Sequence, residues 1–449
     1  MENVIKLKQK DNDKTTRIMY IIEAMLEYFI ALGIGTDYLA FLAMEVGMSD
    51  ALIGIIEAFV SLGASFRVFA LLLTNKTPVK GWVTVMHVIS QIFFAIIWFV
   101  PLLEISSLAK TVMIIVYMLI AYVLHNLCYP AKTNMYMSCV DDHKRGTFTA
   151  LKEIVSLAGA LVFTNLFGNL ISYMKEEQYN LTFIVCGALL LLFMIGHTLT
   201  LVFAKEKVEA LPRKKVSIKE TFKKIFSDKS LLLVILVQIF YNIVHYVSIP
   251  FYATYRQSEL GLSLVFIPIV AAIGSVVRMC FARPVGKIAD KYSFSTMMTV
   301  CFSFLALSYL IMMFTVPSNG KVMYIIYMVI YSIATSGITS AILNITYDYV
   351  EYDNRTPALA ISGAAGGIFG FISTLAVSPL VTHIQDNGNK FLGMNVYAQQ
   401  VLSALALLLL IGLICYNVFV IRKLKRNGSM ESAVSKDLSD NKESEQIAS

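Results

Sequence analysis

Charge is what this sequence has least of. Asp, Glu, Lys and Arg make up 15% of its 449 residues, where a soluble domain carries about a quarter. Hydrophobic residues make up 57%, and mean hydropathy is +0.69. That balance excludes a soluble globular chain, and the longest hydrophilic stretches are too short to hold a catalytic domain. Cysteine is thin as well. Cys128, Cys139, Cys186, Cys280, Cys301 and Cys415 lie in or beside apolar runs with no CxxC spacing, so they read as small apolar residues rather than disulfides or metal ligands. HExxH, a P-loop and a Cys–His pair are missing, and Gly286-Lys287 lacks the preceding glycine of a phosphate loop. No enzyme activity, metal or cofactor is expected.

What the chain has is apolar runs of about 20 residues, the helical length that crosses a hydrocarbon core of ~30 Å. Twelve are expected, near 18–44, 51–73, 81–103, 111–131, 147–172, 181–203, 231–254, 262–283, 294–316, 322–344, 357–381 and 397–421. The first is too long for a signal peptide and has no small-residue cleavage site, so it remains a span. Basic residues gather at both termini and after even-numbered spans, as in Lys6, Lys8, Lys10, Lys14 and Arg17, Arg213 to Lys229, and Arg422 to Arg426. The opposite side carries only Lys110, Lys175, Arg256, Lys321 and Lys390. This bias predicts a multi-pass plasma-membrane protein with both termini cytoplasmic. It also accounts for the net charge of +7 without a nucleic-acid partner.

The expected organisation is a cytoplasmic amino terminus (1–17), a six-helix bundle (18–203), a linker (204–230), a second six-helix bundle (231–421) and a disordered tail (422–449). In the linker, Ile218, Phe222, Ile225 and Phe226 fall on one face of an amphipathic helix lying along the membrane. The two bundles echo each other. Gly63, Arg67, Lys76 and Lys80 recur 211 positions later as Gly274, Arg278, Lys287 and Lys291. Asn134, Val140, Asp141 and Arg145 recur 210 positions later as Asn344, Val350, Glu351 and Arg355. Two echoes at nearly one spacing mark a chain of tandem halves.

With twelve spans in two halves and Gly286-Lys-Ile-Ala-Asp290-Lys291 between spans eight and nine, the chain resembles the major facilitator superfamily (MFS), whose loop pattern is Gly-x-x-x-Asp-basic. The first half departs from the pattern, with Asn75 for the Gly and Val79 for the Asp. The resemblance implies an all-α membrane fold of two pseudo-symmetric six-helix bundles around a central cavity. Helices one, four, seven and ten would line the cavity, and three, six, nine and twelve would stand outside. It also implies a cytoplasmic gate from Arg278, Gly286, Asp290, Lys291, Asp141, Arg145, Glu351 and Arg355.

The residues divide their polarity the same way. Tyr122, His125, Asn126 and Tyr129 share one face of span four, and Gln238, Tyr241, Asn242 and His245 one face of span seven. Span ten carries Tyr324, Tyr327, Tyr331 and Thr335 beside Ser332, Ser336, Thr339 and Ser340; span one carries Tyr20, Glu23 and Glu27. Polar groups facing lipid are costly, so these stripes must face protein or water. The competing reading is interhelical hydrogen bonding with no solute.

Glu27 lies ten residues from Arg17, about 15 Å of helix and near the midplane. It is the candidate proton or cation coupling site, with Glu57 second; the alternative is a carboxyl held in a static helix contact. Glu23 is expected at the cavity mouth or paired with Arg17, and Asp37 solvated. His125 and His245 could pass protons, and His87 reads as a packed polar residue. Arg67 and Arg278 are expected to snorkel near span ends. Lys152 and Glu153 mark a boundary, and Gly363, Gly366, Gly367 and Gly370 give span eleven a small face.

The expected function is alternating-access transport of a small polar solute, a sugar or glycoside, coupled to protons or another cation, by a monomer in the bilayer. The alternative is a drug:proton antiporter, whose span five carries a Gly-Pro pair; here Gly159 and Gly168 have no such proline.

Overall fold

The computed structural model describes residues 2–73, 78–140, 145–206, 227, 229–349 and 355–424, with backbone alone at 2–12, 36, 71–73, 145–147, 149–150, 176–177, 290, 343, 346–349, 355–358 and 360. Span one is the bent pair Asp13–Gly33 and Asp37–Glu45, which turns by 41°. Spans two to six are Asp50–Ala70, Lys80–Leu102, Ser107–Met137, Leu151–Lys175 and Tyr179–Phe203. Spans seven to twelve are Lys229–Glu259, Phe266–Ala289, Phe294–Met313, Gly320–Ile342, Ile361–Asp386 and Ala398–Lys423. The linker residues Ile218, Phe222, Ile225 and Phe226 lie outside the described residues, as does the chain beyond Leu424.

The bend in span one has an identifiable cause. Gly33 and Gly35 interrupt the helix, and the Gly33 carbonyl accepts the indole N–H of Trp98 at 3.1 Å. Span seven is remodelled by Pro250, which cannot donate to the helical ladder. The helix gives way there to a 3-10 turn over Ile249–Phe251 and wider turns over Tyr255–Glu259.

Each half keeps its own core. The first gathers Phe41, Trp98, Phe163, Phe167 and Phe183. The second gathers Tyr252, Phe302, Tyr309, Tyr324 and Tyr327. Among buried residues, only Ala253 joins the first core from the second half and only Ala51 the reverse. Helices in lipid gain little from the hydrophobic effect, so close approach decides which pack. The tandem echo is visible in those approaches. A Cβ on Gly63 would meet Asn126 Nδ2 of span four at 2.7 Å, and one on Gly274 would meet Ser332 Oγ of span ten at 2.6 Å. The repeated glycine lets the second helix of each half approach the fourth.

Among the described residues, few hydrogen bonds cross between the halves. Along spans two and eleven, Ser61 Oγ donates to the Gly367 carbonyl at 2.9 Å and Phe59 packs on Phe371. On the face away from the chain ends (the far face), Arg256 Nη2 donates to Asp37 Oδ1 at 2.7 Å, and Gln257 Nε2 to the Asp37 carbonyl at 2.8 Å. Gln385 Nε2 reaches Asp50 Oδ2 at 2.7 Å. Asp37, expected to be solvated, is therefore ion-paired. Arg256, expected just past the end of span seven on the side opposite the chain ends, is 7% exposed, because span seven runs on to Glu259 and carries it inward beside Tyr324.

Candidate transport site

Span four continues through Pro130 to Met137, so Lys132 lies inside the helix rather than beyond its end. Glu23 and Glu27, four residues apart, present both carboxylates from one face of span one. Lys132 Nζ reaches both, at 2.7 Å from Glu23 Oε1 and 2.6 Å from Glu27 Oε1. The ammonium and Glu23 are each 1% exposed, while Glu27 is 17% exposed. The array extends inward, with His197 Nε2 2.8 Å from Glu23 Oε1 and 3.0 Å from His87 Nε2. His87 Nδ1 lies 3.6 Å from Cys128 Sγ. One protonation pattern avoids opposing two N–H groups: His197 Nε2–H donates toward Glu23, and His87 carries its proton on Nδ1 toward the sulfur. His125 Nδ1 stands 3.5 Å from Glu27 Oε1, too far for a hydrogen bond.

Two carboxylates against one ammonium leave the cluster one negative charge when the imidazoles are neutral. Such an array is stable in a dry interior only while its members satisfy one another. Glu23, Glu27, His87 and His197 also offer ligand atoms within 4.8 Å of one another, a set that suits a metal ion in principle. Lys132 already places a cation between the two carboxylates, and the bland reading of the set is an ion-paired helix contact.

Glu27 is where this cluster meets open space. A cavity of about 670 Å³ separates the halves and is lined by Glu27, His125 and Tyr129 on one side and Ser275, Arg278 and Ser336 on the other. Lys152 and Glu153, expected only to mark a boundary, also line it. As the second residue of span five, Lys152 shows that the cavity extends toward the face carrying the chain ends. A larger recess of about 1060 Å³ lies between spans one, five and six, lined by Phe29, Phe163, Phe167 and Phe193. Among the described side chains, no Asp, Glu, Lys, Arg or His lines it.

The other expected site residues fall elsewhere. Glu23 is fully buried and sits behind the cavity wall, held by Lys132 and His197 rather than Arg17. Asn126 is 3% exposed; its Oδ1 accepts Arg67 Nε at 2.7 Å and its Nδ2 donates to the Tyr122 carbonyl. Tyr122 packs edge-on against Phe94. Gln238 and Tyr241 line a separate recess of about 330 Å³ with Thr339. Asn242 donates to the Gln238 carbonyl at 2.8 Å. His245 lies against the rings of Tyr241 and Tyr246. Tyr327 is 2% exposed and stacks with Tyr331, whose carbonyl accepts from Thr335 Oγ1. Glu57 is 7% exposed, and its Oε1 has no hydrogen-bond partner among the described residues.

The span-four stripe thus splits between cavity and packing, and the span-seven stripe turns to a side recess. Tyr122, Asn126, Asn242 and Thr335 are held by neighbours within their own bundles, while His125 and His245 each keep a buried Nδ1 with no hydrogen-bond partner among the described residues. Span eight supplies the far wall instead: running Phe266–Ala289 rather than 262–283, it puts Arg278 at mid-helix and not near an end.

Of the expected gate, Asp141 and Glu351 lie outside the described residues, as do the side chains of Arg145, Asp290 and Arg355. Lys291 Nζ sits over the Tyr292 ring at 5.3 Å, and a Cβ on Gly286 would meet nothing within 4 Å. At Val79, where the pattern's Asp is missing, Glu206 after span six accepts the backbone N–H groups of Val79 and Lys80 at 2.8 and 3.0 Å. This carboxylate sits at a helix start, where negative charge is favoured.

No curated protein matches the sequence. Solved structures share the fold. A variant of the nucleoside transporter NupG superposes with a TM-score of 0.71 at 11% identity, covering 90% of this chain and 99% of that one. A D-xylose-proton symporter gives 0.63 at 12% identity, with 89% and 96% covered. An auto-inhibited POT family peptide transporter gives 0.66 at 10% identity, with 93% and 98% covered. The Major Facilitator Superfamily model matches residues 18–378. Duplicated halves, a dozen apolar helices, a cavity between them and that match make the chain a member of the Major Facilitator Superfamily, a transporter.

Proposed function

We propose that this transporter moves a small polar solute by alternating access, and that the cluster ending at Glu27 couples the movement to a proton. The observation that carries the reading is Glu27 itself. It is a cavity-lining carboxylate whose partner, Lys132, is shared with a second carboxylate and backed by two histidines. A single negative charge in a nearly dry cluster makes an added proton the smallest change that neutralises it. Protonating Glu27 releases part of Lys132's attachment at the cavity wall, linking proton occupancy to the shape of the solute site. The solute class favoured by Tyr28, Tyr129, Ser275 and Ser336 around the cavity is a hydroxylated one, such as a sugar derivative. The D-xylose-proton and nucleoside carriers show that the fold accommodates such cargo. The far face is held closed and the basic ends are assigned to the cytoplasm, so the cavity faces inward.

A second reading, efflux of an amphipathic compound, draws support from the phenyl-lined recess beside span five. The test is proteoliposome uptake with and without an imposed proton gradient. Glu27→Gln is expected to abolish uphill accumulation while keeping solute exchange. Gradient-driven accumulation at the wild-type level would remove Glu27 from coupling, and proton-driven extrusion of a cationic dye would favour the second reading.

A further inference from the structure

Arg278 is a guanidinium at the middle of span eight, lining the cavity opposite Glu27. Among the described residues no carboxylate lies within ion-pair distance of it. It is more than a third exposed and lines the cavity. Its repeat partner Arg67 has a different circumstance. Arg67 is spent on Asn126 at 2.7 Å and lies 5.1 Å from the centre of the Tyr129 ring, the ring that forms part of the cavity wall. The duplicated arginine is thus built into the wall in one half and left open in the other.

The charges around the cavity do not cancel it. Glu27 and Glu23 share Lys132, and Lys152 and Glu153 are adjacent and opposite. Two carboxylates, Glu23 and Glu27, then stand against three bases, Lys132, Arg67 and Arg278, which leaves one positive charge in excess. Glu57 is ten residues before Arg67 on span two, about 15 Å away along the helix, and does not line this cavity. The histidines His87, His125 and His197 can only add positive charge. An unpaired guanidinium at mid-membrane depth is expensive unless something anionic visits it, and its planar fork matches a carboxylate or phosphate bidentately.

We propose that the transported solute is a small hydroxylated organic anion whose carboxylate or phosphate is received by Arg278. The inference rests on the transporter reading above and names its substrate class. Hydroxyls on Tyr28, Tyr129, Ser275 and Ser336 serve the rest of the molecule. A proton taken up at the Glu27 cluster makes the cavity more positive, so proton and anion favour each other's binding.

The test is the rate at which phenylglyoxal modifies Arg278 in the purified protein, followed by peptide mass spectrometry with Arg283 as internal reference. Gluconate, galacturonate and glucose 6-phosphate are compared with glucose and galactose. A charge-assisted contact supports slowing of about tenfold or more. At least one anion is expected to slow labelling of Arg278, its neutral parent to leave the rate unchanged, and Arg283 to be unaffected. Equal protection by neutral sugars, or none by any anion, overturns the proposal. Failure of the two readings is separable. Protection without transport in vesicles would sink the transport mechanism and leave the anion site standing. Wild-type transport of a neutral sugar by Arg278→Gln would sink the anion site alone.

Discussion

Lys132, 1% exposed, holds two carboxylates on one ammonium, and this makes its removal costly. Removing the cation leaves Glu23 and Glu27 facing each other uncompensated, a loss of about 3–5 kcal/mol for a buried pair. Lys132→Met is therefore expected to lower the thermal midpoint in detergent sharply. The double variant Glu23→Gln with Lys132→Met should recover part of the loss, because it removes a charge with each partner. Equal midpoints for the single and double variants would show that the pair is not coupled. Sequence reasoning found the two acids but not their base. Lys132 follows Pro130 and Ala131, which read as a helix end, and His197 sits in a span that reads as lipid-facing. Only the longer span four and the buried face of span six that carries His197 bring them together.

Helix existence was legible and helix ends were not. Runs of apolar residues locate the spans wherever they lie, since hydrocarbon thickness sets their length. Ends depend on caps, prolines and neighbours, and a shift of a few residues decided whether Arg278 lay at an interface or at mid-membrane. The small face of span eleven was legible too, and its consequence is measurable. A Cβ on Gly367 would stand 2.5 Å from the Ser61 carbonyl, a backbone atom that cannot rotate away, whereas one on Gly363 would meet nothing within 4 Å. Gly367→Ala is expected to destabilise by roughly 1–3 kcal/mol through overpacking and to depress transport. Gly363→Ala should be neutral or slightly stabilising, since alanine favours helix. Similar thermal midpoints for the two variants would remove the close approach as a constraint.

Taken whole, the molecule is closed at the far face, and Asp37 with Arg256 is the ion pair that spans that closure. Its side chains are 20% and 9% exposed, so solvent screens the pair only partly. Asp37→Asn should favour the alternative state by ~1–1.4 kcal/mol, roughly five- to tenfold in population. The readout is a cysteine placed at Thr254, which is 1% exposed and lies at the seam with Asp50 and Gln385. An impermeant maleimide added at the far face should label Thr254→Cys faster when Asp37 is neutral. An unchanged rate would mean that the pair does not hold the seam. The duplicated architecture was legible from the spaced glycines and arginines, but the contacts between the copies were not, because no local pattern encodes which polar group meets which across two separate bundles.

The separation of the two interiors has a mechanical consequence. With Ala51 and Ala253 the only fully buried residues, among those described, that share a core across the join, each bundle can tilt as a solid block with little disturbance of its own filling. Ser61 against bare Gly367 backbone acts as a fulcrum at the point of closest approach, with Phe59 and Phe371 packed beside it. Endurance and turnover are consequently assigned to different residues, the first to aromatic packing inside each block and the second to a handful of polar latches between them.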